Sequence, residues 1–193
     1  MQDIALYRKY RPGNFDEVLG QDHIVKVLKG SISLGNISHS YLFFGSRGTG
    51  KTSVARIVAS ELEVSAEDTF EIDAASNRGI DDIRSLRDGV NTLPFNSKYK
   101  IYIIDEVHML TKEAWNALLK TLEEPPKHVI FILATTEIDK VPDTIVSRCQ
   151  VFTFKKPNIS VLKEMISGVL KKEKFKIDEA GIELISLLGD GSF

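Results

Sequence analysis

The sequence predicts an α/β protein, a three-layer domain on a five-stranded parallel sheet followed by the start of a small all-α domain. Three observations predict it. Five short runs are rich in β-branched and aromatic residues, and several are apolar nearly throughout, as strands covered on both faces must be. Amphipathic helical patterns alternate with these runs, which is the signature of crossover connections between parallel strands. After Pro157 no further strand pattern occurs and only helical periodicity continues.

The first strand is SYLFF (40–44), and Val54, Ile57, Val58 and Leu62 then form one helical stripe. TFEID (69–73) and YKIYIID (99–105) are the second and third strands. Trp115, Leu118, Leu119 and Leu122 form another stripe, which Pro125 and Pro126 stop because proline cannot continue a helix. HVIFILA (128–134) and QVFTF (150–154) complete the sheet. Asn158 is a suitable N-cap for a helix carrying Val161, Leu162, Met165, Val169 and Leu170. Asp178 caps another, with Ile182, Ile185 and Leu188 on one face. The expected division is therefore 1–157 and 158–193, the second part too small to complete its own core.

Bulk properties exclude several classes. A net charge of −2, from 25 basic and 27 acidic residues, gives no global field toward DNA or an acidic membrane. One cysteine in 193 residues excludes an internal disulfide and a zinc site of several thiolates. No apolar run has membrane-spanning length, and the start MQDIALYRKYRP lacks the apolar core of a signal peptide, so a soluble cytoplasmic protein is expected.

Residues 45–52 read GSRGTGKT, which fits G-x-x-x-x-G-K-[ST] at every fixed position, between a strand and an amphipathic helix. Gly45, Gly48 and Gly50 let the backbone curl so that the N–H groups of the loop, with Ser46, Arg47, Thr49 and Ser53, face phosphate oxygens. The helix N-terminus adds partial positive charge. Lys51 reaches the β- and γ-phosphates, and Thr52 offers a hydroxyl to Mg²⁺. The bound species is expected to be ATP or ADP.

YIIDEVH (102–108) ends a strand in Asp105 and Glu106, where open α/β sheets bind ligands. Asp105 is placed to hold the magnesium and Glu106 to polarise an attacking water. ATT (134–136) ends the next strand and could present a hydroxyl from the opposite side, although β-propensity explains threonines there as well.

These elements in this order resemble the AAA+ ATPases. YRKYRP (7–12), VLGQDHI (18–24), DAASNRGIDDIR (73–84), DEVHMLTKEAWNALLKTLEEPP (105–126) and SRC (147–149) together resemble the bacterial DNA polymerase III γ/τ family, from about Leu6 to Phe193. The resemblance implies the ATP-hydrolysing motor of the clamp loader, which loads a sliding clamp onto primed DNA during replication. It implies as partners δ, δ′ and further γ/τ copies, the sliding clamp, primed DNA, and the polymerase through regions outside this sequence. It places Tyr7, Tyr10, Arg11, Pro12, Gly20 and Gln21 about the adenine and ribose, and makes Thr136 the sensor of the γ-phosphate. It makes Arg148 an arginine finger acting in trans on the ATP of a neighbouring subunit, against the alternative of a surface salt bridge at a helix end. Arg78 and Arg84 fall on a segment that approaches DNA in clamp loaders, with a solvated charged face as the alternative.

The chain departs from the family in two places. The family's four-cysteine zinc module is replaced by EVSAED (63–68), so no zinc is expected, and the family's second sensor arginine falls beyond Phe193. Slow hydrolysis and at best moderate nucleotide binding are therefore expected of these residues alone. The competing functions are another AAA+ DNA-remodelling motor and a nucleotide-dependent scaffold that does not hydrolyse. His23, His39, His108 and His128 show no metal-ligand spacing, no serine stands in a nucleophile elbow, Trp115 reads as core, and Cys149 reads as a buried thiol unless Arg148 lowers its pKa.

Overall fold

The computed structural model describes residues 5–77, 79–189 and 191–192. Five parallel strands, β1 (Ser40–Phe44), β2 (Thr69–Asp73), β3 (Lys100–Asp105), β4 (Val129–Thr135) and β5 (Gln150–Thr153), form one sheet in the order β2-β3-β4-β1-β5. The expected strands match to within a residue or so at their ends.

Alternation along the strands builds the two outer layers. Ile101, Ile103, Ile130, Ile132, Tyr41 and Phe43 face a cluster with Ile24, Leu28, Val54, Ile57 and Val58, from α2 (Asp22–Ser33) and α3 (Lys51–Glu61). Tyr102, Ile104, Phe131, Leu133 and Leu42 face the other side, onto Ile83, Leu86, Trp115, Leu118 and Leu122. These come from α4 (Ile80–Val90) and α5 (Lys112–Glu123). Every residue of β4 is buried, whereas β2, at the sheet edge, is not buried at any position. That difference separates the continuous apolar run of β4 from the mixed TFEID. Trp115 is 5% exposed, a core residue as expected.

The six residues 63–68 make a compact connection from α3 to β2. Asp68 is fully buried and accepts the backbone N–H groups of Phe95 (2.7 Å), Asn96 (3.0 Å) and Ser97 (3.0 Å). Burial alone would raise its pKa, but these donors prevail and hold it at about 2.

After β5 the chain enters α7 (Ile159–Glu173) and α8 (Glu179–Leu188). Asn158 accepts from the N–H of Val161 at 2.9 Å and Asp178 from that of Gly181 at 2.8 Å, the two expected N-caps. The apolar face expected on α8 is largely in solvent. Ile185 is 42% and Leu188 77% exposed, while the buried residue is Ser186, whose hydroxyl donates to Ile182 O at 2.7 Å. Among the elements α8 packs chiefly on α7, which is too narrow to cover it. The shorter helices α1 (Leu6–Lys9) and α6 (Asp143–Val146) lie before α2 and before β5.

Candidate nucleotide-binding site

The loop 45–50 joins the carboxyl end of β1 to α3, and local sterics dictate its composition. Gly45 donates its N–H to Thr135 O at 3.2 Å, and a Cβ on it would stand 2.6 Å from Phe154 O, so only glycine fits between β4 and the end of β5. Gly50, at φ 95°, makes the left-handed turn into α3, and no side chain caps that helix. Its first-turn N–H groups are thus left for an anion. Thr49 is buried and donates its hydroxyl to Ser46 O at 2.9 Å, while Ser46 and Arg47 are exposed at the tip. Ser53 lies half-buried in the first turn of α3. Lys51 is 6% exposed, and its ammonium donates to Gly45 O (2.8 Å) and Ser46 O (2.9 Å). Burial lowers its pKa, and the nearby Glu106 and Asp105 oppose that shift.

The acidic pair meets this loop from β3. Thr52 Oγ1 donates to Asp105 Oδ2 at 2.7 Å, and Asp105 Oδ1 accepts the N–H of Glu106 at 2.9 Å. Glu106 occupies the left-handed region (φ 47°, ψ 44°), a conformation costing on the order of 1–3 kcal/mol that clusters at functional sites. Its carboxylate reaches across to the end of β4, where Thr136, just beyond the strand, donates its Oγ1 to Glu106 Oε2 at 3.0 Å. Lys51, Thr52, Asp105, Glu106 and Thr136 therefore converge from three adjacent strands, β1, β3 and β4. The adjoining hydroxyl and carboxylate of Thr52 and Asp105 are the hard oxygen donors that Mg²⁺ takes, with waters and phosphates completing its shell, so these residues fit the ion.

His108, which shows no ligand spacing in the sequence, joins this cluster. His108 Nδ1 lies 3.0 Å from Thr135 Oγ1 and 3.4 Å from Glu106 Oε2, and its Nε2 lies 3.2 Å from Glu137 Oε1. Glu137 also pairs with Lys140 at 2.7 Å, which lowers its pKa. His108 follows Glu106 by two positions, a spacing with no ligand signature, so only the fold reveals that it backs the carboxylate. The other three histidines bond backbone carbonyls: His23 to Thr153, His39 to Val129, and His128 to Val90 and Thr92.

The remaining expected site residues lie apart from this cluster or act differently. Arg148 is on the surface after α6, where its guanidinium donates to Glu123 Oε1 (2.8 Å) and Thr144 O (2.6 Å). Gln21 was expected at the nucleotide, yet it is fully buried and its amide is committed to the backbone of Lys155 and Thr49. Tyr7 is 64% exposed beside Arg8, and Arg11 is exposed with Pro12 following it. No hydrogen bond among the described residues joins Tyr7, Arg11 or Pro12 to the loop. Tyr10 instead donates to Glu173 of α7 at 2.7 Å. Arg84 is exposed and pairs with Asp81 at 3.1 Å, and Arg78 lies outside the described residues. Cys149 packs on the core, where burial pushes its thiol up to about 12, so Arg148 does not activate it.

Comparison with known proteins supplies three findings. Residues 66–158 match the family described as DNA polymerase III, delta subunit. DNA polymerase III subunit tau of Bacillus subtilis is 46% identical over 208 positions, covering 97% of this chain and 37% of that protein. The chain thus spans little more than a third of that relative, and the alignment is longer than the chain's 193 residues, so the relative inserts residues that this chain lacks. Among solved structures, the RuvB Holliday junction branch migration motor of Thermotoga maritima superposes with a TM-score of 0.77 at 25% identity, covering 95% of this chain and 61% of that one. A DNA polymerase III γ subunit-related protein of the same organism gives 0.61 at 23% identity, covering 85% and 58%. The likeness of fold extends over a P-loop sheet with helices on both faces.

Proposed function

This chain belongs to the bacterial DNA polymerase III γ/τ family, and from that premise we propose that it binds ATP and hydrolyses it as the motor of a clamp loader. The observation that carries this reading is the convergence of Lys51, Thr52, Asp105, Glu106 and Thr136, with Thr52 2.7 Å from Asp105 and Thr136 3.0 Å from Glu106. A binding site alone has no use for Glu106 in a strained conformation, bonded to a hydroxyl just past the end of the next strand.

The residues take separate roles. The N–H groups of the loop and the first turn of α3 hold the phosphates, and Lys51 exchanges its two carbonyl partners for phosphate oxygens. Thr52 and Asp105 would hold Mg²⁺, which would supply neutralisation of charge on the β- and γ-phosphates. Glu106 accepts a proton from the attacking water, oriented by the Thr136 hydroxyl and backed by His108. Arg148, on the surface, completes the site of a neighbouring subunit, as the sequence resemblance implies. Residues 158–193 form the beginning of a helical lid over this site, and residues 1–157 the nucleotide-binding domain. Further family copies, δ and δ′ subunits, the clamp and primed DNA are the partners that follow from this reading.

The test is ATP turnover by the full-length polypeptide assembled with its partner subunits, with and without clamp and primed DNA. Strong stimulation that collapses in Arg148→Ala supports the motor reading. Turnover indifferent to clamp, DNA and Arg148 would overturn it.

A further inference from the structure

We propose that Gln21 is a positioning residue that couples the phosphate loop to the junction where the chain leaves the sheet for α7. The inference rests on the nucleotide-binding reading above. Gln21 precedes α2, and its side chain is fully buried. Its Nε2 donates to Lys155 O at 2.7 Å and to Thr49 O at 3.4 Å, while its Oε1 accepts the N–H of Lys155 at 3.1 Å. The amide therefore pairs with both polar groups of Lys155, as a neighbouring strand would, at the point where β5 has ended. The Lys155 backbone cannot swing without breaking at once two hydrogen bonds to a fully buried amide, which would leave that amide unpartnered.

The third bond faces the ligand. A trans peptide is planar, with its C=O and N–H pointing in opposite directions. With the Thr49 carbonyl directed at Gln21, the N–H of Gly50 is turned away from it, and on the nucleotide-binding reading it is a donor to phosphate. An N–H that donates to a phosphate polarises its own peptide and makes that carbonyl a better acceptor. The 3.4 Å contact is the longest of the three, so it has the most room to tighten when phosphate binds. Tightening there draws on the same amide that fixes Lys155.

The far side of the junction has room to respond. A cavity of about 620 Å³, lined by Lys156, Pro157, Asn158, Leu162, Ser186 and Leu187, lies between the junction and α8. The distal end of α7 is tied separately, with Glu173 accepting from Lys9 (2.5 Å) and Tyr10 (2.7 Å) of the N-terminal segment. α7 is thus tied near both of its ends, Ser192 beyond α8 lies against Gly48 of the loop, and Gln21 holds the tie that joins Lys155 to the loop.

The test is hydrogen exchange read at single amides of the full-length polypeptide, with and without Mg²⁺-ATPγS, in the wild type, Gln21→Glu and Gln21→Met. Glu keeps the size and the acceptor for Lys155 N–H but loses both donations; Met keeps the volume without polar atoms. In the wild type, nucleotide should slow the loop amides and also Lys155 N–H, the latter on the order of 10-fold, within the usual range of site-to-site coupling. In both variants the loop amides should still slow while the response at Lys155 is lost. A Lys155 response equal in variant and wild type, or absent from the wild type while the loop responds, overturns the coupling. Loop amides that ignore nucleotide in the wild type overturn the nucleotide reading itself, and the coupling with it.

Discussion

Lys51 offers a prediction in which stability and binding separate. The ammonium is buried and donates to two loop carbonyls, but the same burial disfavours its charge and lowers its pKa. Replacement by Met removes a desolvated charge together with its two bonds and leaves carbonyls on a loop whose tip is open to water. The opposing contributions nearly cancel, so the unliganded protein should change by no more than about 1 kcal/mol, or roughly 2–4 °C in Tm for a chain of this size. Nucleotide binding should respond much more. Two charge-assisted bonds to phosphate are together worth about 3 kcal/mol, and their loss raises Kd on the order of 100-fold. At an ATP concentration of about 100 Kd the wild type gains roughly 2.7 kcal/mol, whereas Lys51→Met, then near its own Kd, gains about 0.4 kcal/mol. The assay is thermal melting with and without Mg²⁺-ATP. A full nucleotide shift in the variant would refute the phosphate role. A fall of more than about 10 °C without nucleotide would show that Lys51 is mainly a structural support of the loop.

The remaining predictions touch other parts of the fold. Glu106→Gln keeps an acceptor for Thr136 and should bind ATP normally while turnover falls on the order of 10²–10⁴-fold; undiminished turnover in rapid-quench experiments would exclude Glu106 as the base. Arg148→Ala should leave the melting temperature of the separate chain almost unchanged, since an exposed pair with Glu123 is worth about 0–1 kcal/mol, yet turnover of the assembled oligomer should fall about 10³-fold or more. An equal loss in the separate subunit would contradict action in trans. Asp68→Ala should cost about 2–3 kcal/mol at neutral pH in urea titrations, because the carboxylate anchors three N–H groups. Its folded pKa, about 2, lies below the ordinary carboxylate value, so this stabilisation is complete above about pH 4 and is lost as pH falls through 2. The gap between wild type and variant should therefore be flat from pH 8 to 5 and narrow below 4, and a constant gap at pH 3 would count against the charge as the anchor.

Legibility followed the range of the interactions. The strands could be read because both faces of a central parallel strand need apolar residues, and β4 satisfies this at every position. The loop could be read because its geometry constrains residue type locally, at Gly45 through close approach and at Gly50 through a positive φ. Asp105 and Glu106 could be assigned to the ligand edge because strand ends in such sheets meet along one edge, whereas the choice of Thr136 within ATT rests on the family resemblance alone. What could not be read depends on partners far away in the chain. Gln21 bonds a backbone 134 positions away, and His108 a hydroxyl 27 positions away. Lys100 is another such case: it stands in an apolar strand at 2% exposure because its ammonium donates to the carbonyls of Gly89, in the last turn of α4, and Thr92, just after it. A periodicity reading sees only that a lysine interrupts a strand.

On the role in trans proposed for Arg148, its surface position bears on how such a site would work. A guanidinium meant for a neighbour's phosphate must not be locked by its own subunit, but one left loose would lose side-chain entropy on docking. The structure lies between these limits. Glu123 follows the apolar stripe of α5, and Thr144 stands in α6, so both partners sit on elements anchored in the core through Leu122 and Ile145. They hold the arginine in one place at the surface, while the half-exposed pair is worth too little, about 0–1 kcal/mol, to oppose transfer to a phosphate. Removing Glu123 should therefore do less to catalysis than removing Arg148: Glu123→Ala widens the arginine's range of positions, but the charge remains available to the neighbouring site. Turnover of the assembled oligomer should fall only a few-fold, and a loss as large as that of Arg148→Ala would mean that Glu123 itself belongs to the interface.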